Sequence, residues 1–259
     1  MSRLSCLFRQ MRVWITCTLS VVPMFSVHAA PLAVPNIVLV HGAFADGSSW
    51  AHVIPLLQSH GYHVSAVQLP LTSLADDVAA TRRVIARQSG DVILVGHSWA
   101  GVVVTEAANT PAVKGVVYLS AMVPDNGESA AGMLQRLKSP MEGMQPDADG
   151  LIWMDDAATF RHVMGGDLPQ ATAKMLAAVG KPIAARAFTD VVTHAAWHDK
   201  PTWYLITEDD HALPPAVQRQ LATQLRAQTM TLRSSHLSLV SHPRAVADFI
   251  GRAAAGAGR

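Results

Sequence analysis

Between Asp91 and Gly101 the chain reads Asp-Val-Ile-Leu-Val-Gly-His-Ser-Trp-Ala-Gly. Val92 to Val95 is a run of β-branched and aliphatic residues, the composition of a parallel strand buried on both faces. The run stops at Gly96, passes Ser98 and gives way after Gly101 to a helix-like stretch, Val102 to Ala108. A strand, a sharp turn and a helix around Gly-x-Ser-x-small is the form of a nucleophile elbow. The requirement is steric. A serine whose hydroxyl is thrust out of such a turn sits at strained backbone angles, and large side chains two residues before and after would collide. Gly96 and Ala100 are both small, although Ala100 stands where many such turns carry glycine and Gly101 follows it.

The flanking sequence extends the strand–helix rhythm. Asn36 to Val40 is a compact apolar strand that ends in His41-Gly-Ala-Phe-Ala-Asp-Gly-Ser-Ser-Trp50. Glycines there let a loop fold tightly over the sheet end, where parallel sheets bind ligands. His41 reads as a residue that hydrogen-bonds within this loop. Ser49 to His60 has helical spacing and closes at Gly61, and Tyr62 to Val67 is the next strand. Ser73-Leu-Ala-Asp76 begins a helix reaching about Gln88 in capping-box fashion. Asp76 and Asp77 fall in its first turn, where carboxylates suit the helix dipole. Val113 to Leu119 is another strand. This alternation predicts an α/β fold with a mostly parallel central sheet and helices on both faces.

From Met122 to about Trp197 the pattern loosens, and no strand periodicity survives. Seven of the eleven methionines fall here: Met122, Met133, Met141, Met144, Met154, Met164 and Met175. The segment reads as a mostly helical cap inserted after a sheet strand and covering the Ser98 pocket. Thioether side chains adapt to irregular apolar shapes, so the enrichment points to an accommodating, greasy site. His194 and His198 are spaced as two metal ligands on one helix face could be, but no Glu-x-x pattern lies between them and no third ligand is evident, so no metal is expected. Strand logic resumes at Pro201 to Thr207, followed by Glu208-Asp-Asp-His-Ala-Leu-Pro-Pro215, a helix through Arg226 and a short strand from Thr229 to Leu232. An acid following a strand that comes after the nucleophile is the triad position of this kind of sheet, and on residues alone Asp209 and Asp210 both qualify. Glu208 reads as a solvated loop charge. His236 lies late enough to complete the order Ser, Asp, His, whereas His242 directly precedes Pro243 at a helix start, a turn position.

Taken in order, the elbow, the upstream His41-Gly, the acid loop and the final histidine resemble the α/β-hydrolase superfamily. More narrowly, His41-Gly-Ala-Phe-Ala-Asp-Gly47 and Ser73-Leu-Ala-Asp-Asp-Val78 are similar to phrases of small bacterial esterases related to plant methylesterases and hydroxynitrile lyases. The resemblance runs from about Ile37 to about Ile250. It implies an α/β-hydrolase fold, Ser98 as nucleophile, His236 as base and, counted back from Pro214-Pro215, Asp210 as the acid. It also implies an oxyanion hole from the backbone N–H groups of Ala43 and Trp99. The expected activity is cofactor-free hydrolysis of small to medium apolar carboxylic esters, with rate falling on acidification as His236 takes up a proton. Hydroxynitrile lyases of this group carry a lysine after the triad histidine, where this chain has Leu237, and a dehalogenase of this fold would place aspartate at the nucleophile. A small-ligand-binding protein on the same scaffold is the alternative from another class.

Composition bounds the rest. With 259 residues, half of them hydrophobic and 15% charged, the chain is long enough for one α/β domain and unlike a disordered one. Arg3, Arg9 and Arg12 precede an apolar run from Val13 to Val27, and Val27-His-Ala29 is a small-residue cleavage site. That is the form of a secretory signal peptide (1–29) ahead of a hydrolase domain (30–259, cap about 122–197), which places the expected product in the periplasm or outside the cell. The run is interrupted by Thr16, Thr18, Ser20, Pro23 and Ser26 and is shorter than the ~20 residues of a spanning helix, so no membrane span is expected in the mature chain. Both cysteines, Cys6 and Cys17, lie in this leader, leaving no disulfide to form after cleavage. Its loss lowers the formal charge of +1 by three, and no basic run follows, so nucleic acid is not an expected partner.

Overall fold

The strands Asn36–Val40 (β1), Val92–His97 (β3), Val113–Leu119 (β4) and Thr202–Thr207 (β7) are buried almost throughout, without the alternation of a sheet that faces water on one side. Such strands need cover on both faces, and the chain supplies it with helices between successive strands. The computed structural model describes residues 34–139 and 144–257; the predicted leader with its two cysteines, and Met141, lie outside them.

In chain order the core elements are β1, α1 (Ile54–Ser59), β2 (His63–Ala66), α2 (Leu74–Ala86), β3, α3 (Ala100–Ala107) and β4. An insertion follows, with α4 (Ala130–Arg136), β5 (Leu151–Ile152), α5 (Ala157–Val163), α6 (Gln170–Val179) and β6 (Ile183–Ala184). The core then closes with β7, α7 (Pro215–Gln224), β8 (Gln228–Leu232), α8 (Ser238–Ser241) and α9 (Pro243–Gly256). The main sheet has the order β2-β1-β3-β4-β7-β8, and every neighbouring pair is parallel. Only the edge strands β2 and β8 are substantially exposed. Among the described residues no helix is long and apolar enough to cross a membrane.

Local chemistry accounts for most boundaries. Ser73 caps α2 by accepting from the Asp76 N–H, and Asp76 reaches back to the Ser73 hydroxyl. Gly61, at φ 88°, ends the α1 segment in the left-handed region that glycine adopts without strain. Two expectations need correction. The single helix from Ser49 to His60 is a 3-10 turn (Gly47–Trp50) followed by a short α1, because Asp46 caps the turn and Pro55 restarts the helix. The insertion is mostly helical but also contains the antiparallel pair β5–β6, two residues a side and too short to leave a periodic trace. It is tied to the core by hydrogen bonds from the Ala184 N–H to Leu71 O, the Leu74 N–H to Asp190 and the Lys181 ammonium to Leu69 O.

Candidate active site

The residues of interest gather where the parallel strands end at their C-terminal edge. β3 runs through His97 and turns at Ser98, which holds φ 55°, a left-handed conformation that a serine adopts only under constraint from its surroundings. The constraint is visible on both sides. A Cβ on Gly96 would meet Ala100 O and Val104 Cγ2 at 2.8 Å, so the helix after the turn can fold back over the strand only if residue 96 lacks one. On Gly101 a Cβ would lie 2.3 Å from Met122 O, and on Gly42 2.9 Å from Ser98 Cβ. Gly42 therefore lets the loop after β1 lie against the serine, which brings Ala43 beside it. Ala43, Ser98 and Trp99 line one cavity, and neither the Ala43 nor the Trp99 amide donates to a protein acceptor among the described residues.

His236 comes from the loop after β8 and lines the same cavity. Its Nδ1–H donates to Asp210 Oδ2 at 2.7 Å, which leaves Nε2 as the lone-pair nitrogen. That Nε2 is buried and has no hydrogen-bond partner among the described residues, Ser98 Oγ included. Asp210 follows β7, and its carboxylate is held from every side: Oδ1 accepts from the Ala212 and Leu213 N–H groups, and Oδ2 accepts from Thr207 Oγ1 and Gln218 Nε2 as well as from the imidazole. Burial pushes its pKa up, but the facing His236 and these donors outweigh it and hold the carboxyl below its usual value. Asp209, the other candidate, has a side chain 61% exposed that lies 3.7 Å from Arg233. Glu208 is likewise exposed, 3.4 Å from Arg219.

Several partners in this arrangement have no signal in spacing. Buried His97, next to the serine, donates from Nε2 to the His236 carbonyl at 3.0 Å, with the two rings 4.7 Å apart. Burial, and secondarily the neighbouring His236, lowers its pKa to about 3, so it remains a neutral strut for the histidine loop. Ser120, at the end of β4, donates to Thr207 Oγ1 and extends the polar chain to the cavity wall. Asp77 does more than suit the helix dipole, the role expected of a first-turn acid. It is fully buried, accepting from the Leu71 N–H through Oδ1 and from the Trp99 indole N–H through Oδ2, each at 2.8 Å. Asp77 is the fourth residue of α2, directly after the capping box, and faces inward, and the phrase Asp76-Asp77 does not reveal which acid does so.

The remaining histidines have other duties. His41 donates from Nδ1 to Gly42 O and accepts the Leu69 N–H at Nε2, and burial lowers its pKa to about 4. His242 precedes α9 and shares a hydrogen bond with the Ser241 hydroxyl. His194 and His198 do not converge: each contacts its own carboxylate, Asp199 and Asp125 respectively.

The cavity measures about 290 Å³. Its walls are mainly apolar, with Phe44 and Leu213 from the core and Met122, Met144, Met164 and Phe188 from the insertion. Among the described residues, no lysine, arginine, aspartate or glutamate lines it. The methionine enrichment thus has a mixed outcome. Three of the set reach the cavity, Met133 and Met154 are buried, and Met175 is 51% exposed.

Comparison with known proteins agrees with this geometry. A family model described as the alpha/beta hydrolase family matches residues 37–249. The chain is 31% identical over 243 residues to the alpha/beta hydrolase nvfD of Aspergillus novofumigatus, covering 85% of this chain and 96% of that protein. It is 27% identical to a pyrethroid hydrolase of Sphingobium wenxiniae, with 85% and 87% covered. A solved pyrethroid hydrolase from Sphingobium faniae superposes with a TM-score of 0.73 at 25% identity, covering 86% of this chain and 98% of that one.

Proposed function

The chain belongs to the alpha/beta hydrolase family, and on that premise we propose that it is a serine esterase of small to medium, uncharged, apolar carboxylic esters. One observation carries the reading. A histidine whose Nδ1 is fixed by a buried carboxylate turns its buried Nε2 to the cavity that Ser98 also lines. A histidine held in that tautomer, on the wall of a cavity that also presents a strained serine, is placed to act as a base.

In the proposed reaction Ser98 Oγ attacks the ester carbonyl while its proton passes to His236 Nε2. The Ala43 and Trp99 amides hold the oxyanion, and Asp210 stabilises the imidazolium through Nδ1–H. The tetrahedral adduct collapses, and the alkoxide leaves with the proton from Nε2. A water then gives its proton to Nε2 and attacks the acyl-enzyme; the second adduct collapses to the acid as Ser98 Oγ leaves with the proton from Nε2. No cofactor enters any step. Among the described residues the cavity wall offers a charged substrate no lysine, arginine, aspartate or glutamate as counter-ion to replace the water it would lose, which supports neutral esters. Relatives named for hydrolysis of pyrethroids point in the same direction.

The test is hydrolysis of p-nitrophenyl esters across acyl lengths, with fluorophosphonate labelling. Wild type should turn over short and medium esters and label at Ser98, and Ser98→Ala should do neither. A folded wild-type protein that neither labels nor turns over would instead be a ligand-binding member of the fold. The proposal extends to export through the leader, for which N-terminal sequencing of extracellular or periplasmic protein should begin at Ala30.

A further inference from the structure

A buried carboxylate is an expensive way to fill space, so Asp77 calls for an explanation beyond packing. Burial pushes its pKa up to about 6, against the opposing effects of the Trp99 indole, the Leu71 amide and the nearby Lys181 charge. A leucine or methionine in the first turn of α2 would seal the same interior without that penalty. What the carboxylate does, and an apolar side chain could not, is grip two N–H groups at defined positions.

One of those groups belongs to the residue directly after Ser98. The Trp99 indole is fully buried, its Nε1–H 2.8 Å from Asp77 Oδ2, and its ring meets Phe188 of the insertion with centroids 5.1 Å apart. The side chain is thus fixed at its far end by a hydrogen bond and on its flank by an aromatic contact. Its near end is the Cα of a residue that lines the cavity and carries the amide assigned above to the oxyanion. Leu71, the other residue held, sits at φ 62° in the loop leading to α2 and accepts the insertion's Ala184 N–H at its carbonyl. Asp77 therefore joins the elbow, the loop before α2 and the insertion at one point.

We propose that Asp77 is a positioning residue for ester cleavage: by anchoring the Trp99 indole it sets the direction of the Trp99 amide toward the carbonyl oxygen of the substrate. The inference rests on the reading of Ser98 as nucleophile and of that amide as an oxyanion donor. It is distinct from a role in substrate binding, because Asp77 itself does not line the cavity.

The experiment is a double-mutant cycle on Asp77→Leu and Trp99→Phe, with kcat and KM for p-nitrophenyl butyrate expressed per serine titrated by fluorophosphonate, so that unfolded protein does not count. Deleting an oxyanion donor outright slows such enzymes 10²–10³-fold, so mis-aiming one should lower kcat by roughly 10-fold with KM within about two-fold. Affinity for a trifluoromethyl ketone, which forms a tetrahedral adduct with the serine, should fall by the same factor. The double variant should be no worse than the worse single, since both remove one interaction. Asp77→Asn, whose one acceptor oxygen can serve the indole only by turning its NH2 toward the Leu71 N–H, should recover the rate in part. If Asp77→Leu does not fold, Trp99→Phe and Asp77→Asn carry the comparison. Wild-type kcat per titrated serine in Trp99→Phe, or effects that multiply in the double variant, would overturn the inference. Failure of the underlying reading looks different: Ser98→Ala would then retain turnover.

Discussion

At the scale of single residues, neighbouring side chains of the same type have opposite fates. Asp209 and Asp210 are adjacent, yet one faces solvent and Arg233 while the other is enclosed by amides, Thr207, Gln218 and His236. Asp210→Asn should therefore cost roughly 10³–10⁴-fold in kcat, since an amide cannot hold the imidazole in the same tautomer. Asp209→Asn should stay within about two-fold, as expected for an exposed carboxylate whose ion pair is weak. Steady-state kinetics on the two variants checks this, and equal losses would reassign the acid. Asp76 and Asp77 repeat the lesson in α2, where Asp76 serves the cap and Asp77 the elbow. Ser98 and His236 could be singled out in the sequence because the elbow pattern and the chain order mark them, whereas on residues alone Asp209 and Asp210 both qualified and only the resemblance favoured Asp210. His97, Asp77, Thr207, Ser120 and Gln218 could not, because their partners lie far along the chain and no local pattern records a hydrogen bond across it.

Elements are where the glycines decide. Strand β3, the Ser98 turn and helix α3 form a single rigid piece only because residues 96 and 101 lack a Cβ. Ala100 in place of the glycine common in such turns is harmless here, for it starts α3 with helical geometry, while Gly101 bears the close approach to Met122 O. Gly101→Ala should then destabilise the fold by about 1–3 kcal/mol through overpacking, with a matching drop in urea midpoint. Ala100→Gly should cost only about 0.5–1 kcal/mol, the ordinary entropy penalty of a helical glycine. A Gly101→Ala protein as stable as wild type would mean that the insertion relaxes away from the elbow. Strands and helices of the core follow periodicity closely because each buries a continuous apolar face. The insertion follows it poorly, its short pieces being shaped by the cavity they cover.

For the molecule as a whole, burial of titratable groups sets a pH dependence that can be worked out by sign. His41 and His97 have folded pKa values near 4 and 3, below the ordinary 6.5, so the unfolded chain binds their protons first as pH falls. Their contribution to stability is complete above pH 6.5 and is lost progressively below it. Asp77, raised from 3.8 to about 6, works in reverse: the folded chain takes up its proton first, which favours folding as pH falls toward 4. Between pH 6 and 4 two histidines oppose one carboxyl. The net is one proton in favour of the unfolded state, or about 1.4 kcal/mol of stability lost per pH unit. Urea unfolding at pH 6 and 5 checks the slope, and a flat profile would show that other groups cancel it. Asp210, held low, adds to the loss only as pH falls through and below the ordinary carboxyl range.

The amino-acid order alone determined the parallel α/β scaffold, the serine turn, the late histidine and the position of the insertion, because strand burial, steric tolerance at glycine and capping are local properties written within a few residues. Tertiary structure decided which of two adjacent aspartates meets the imidazole, which helix acid reaches the indole beside the serine, and which methionines line the cavity. Those outcomes depend on the facing of side chains from strands and loops far apart in the chain, and the folded packing of the sheet's C-terminal edge alone brings them to within a hydrogen bond.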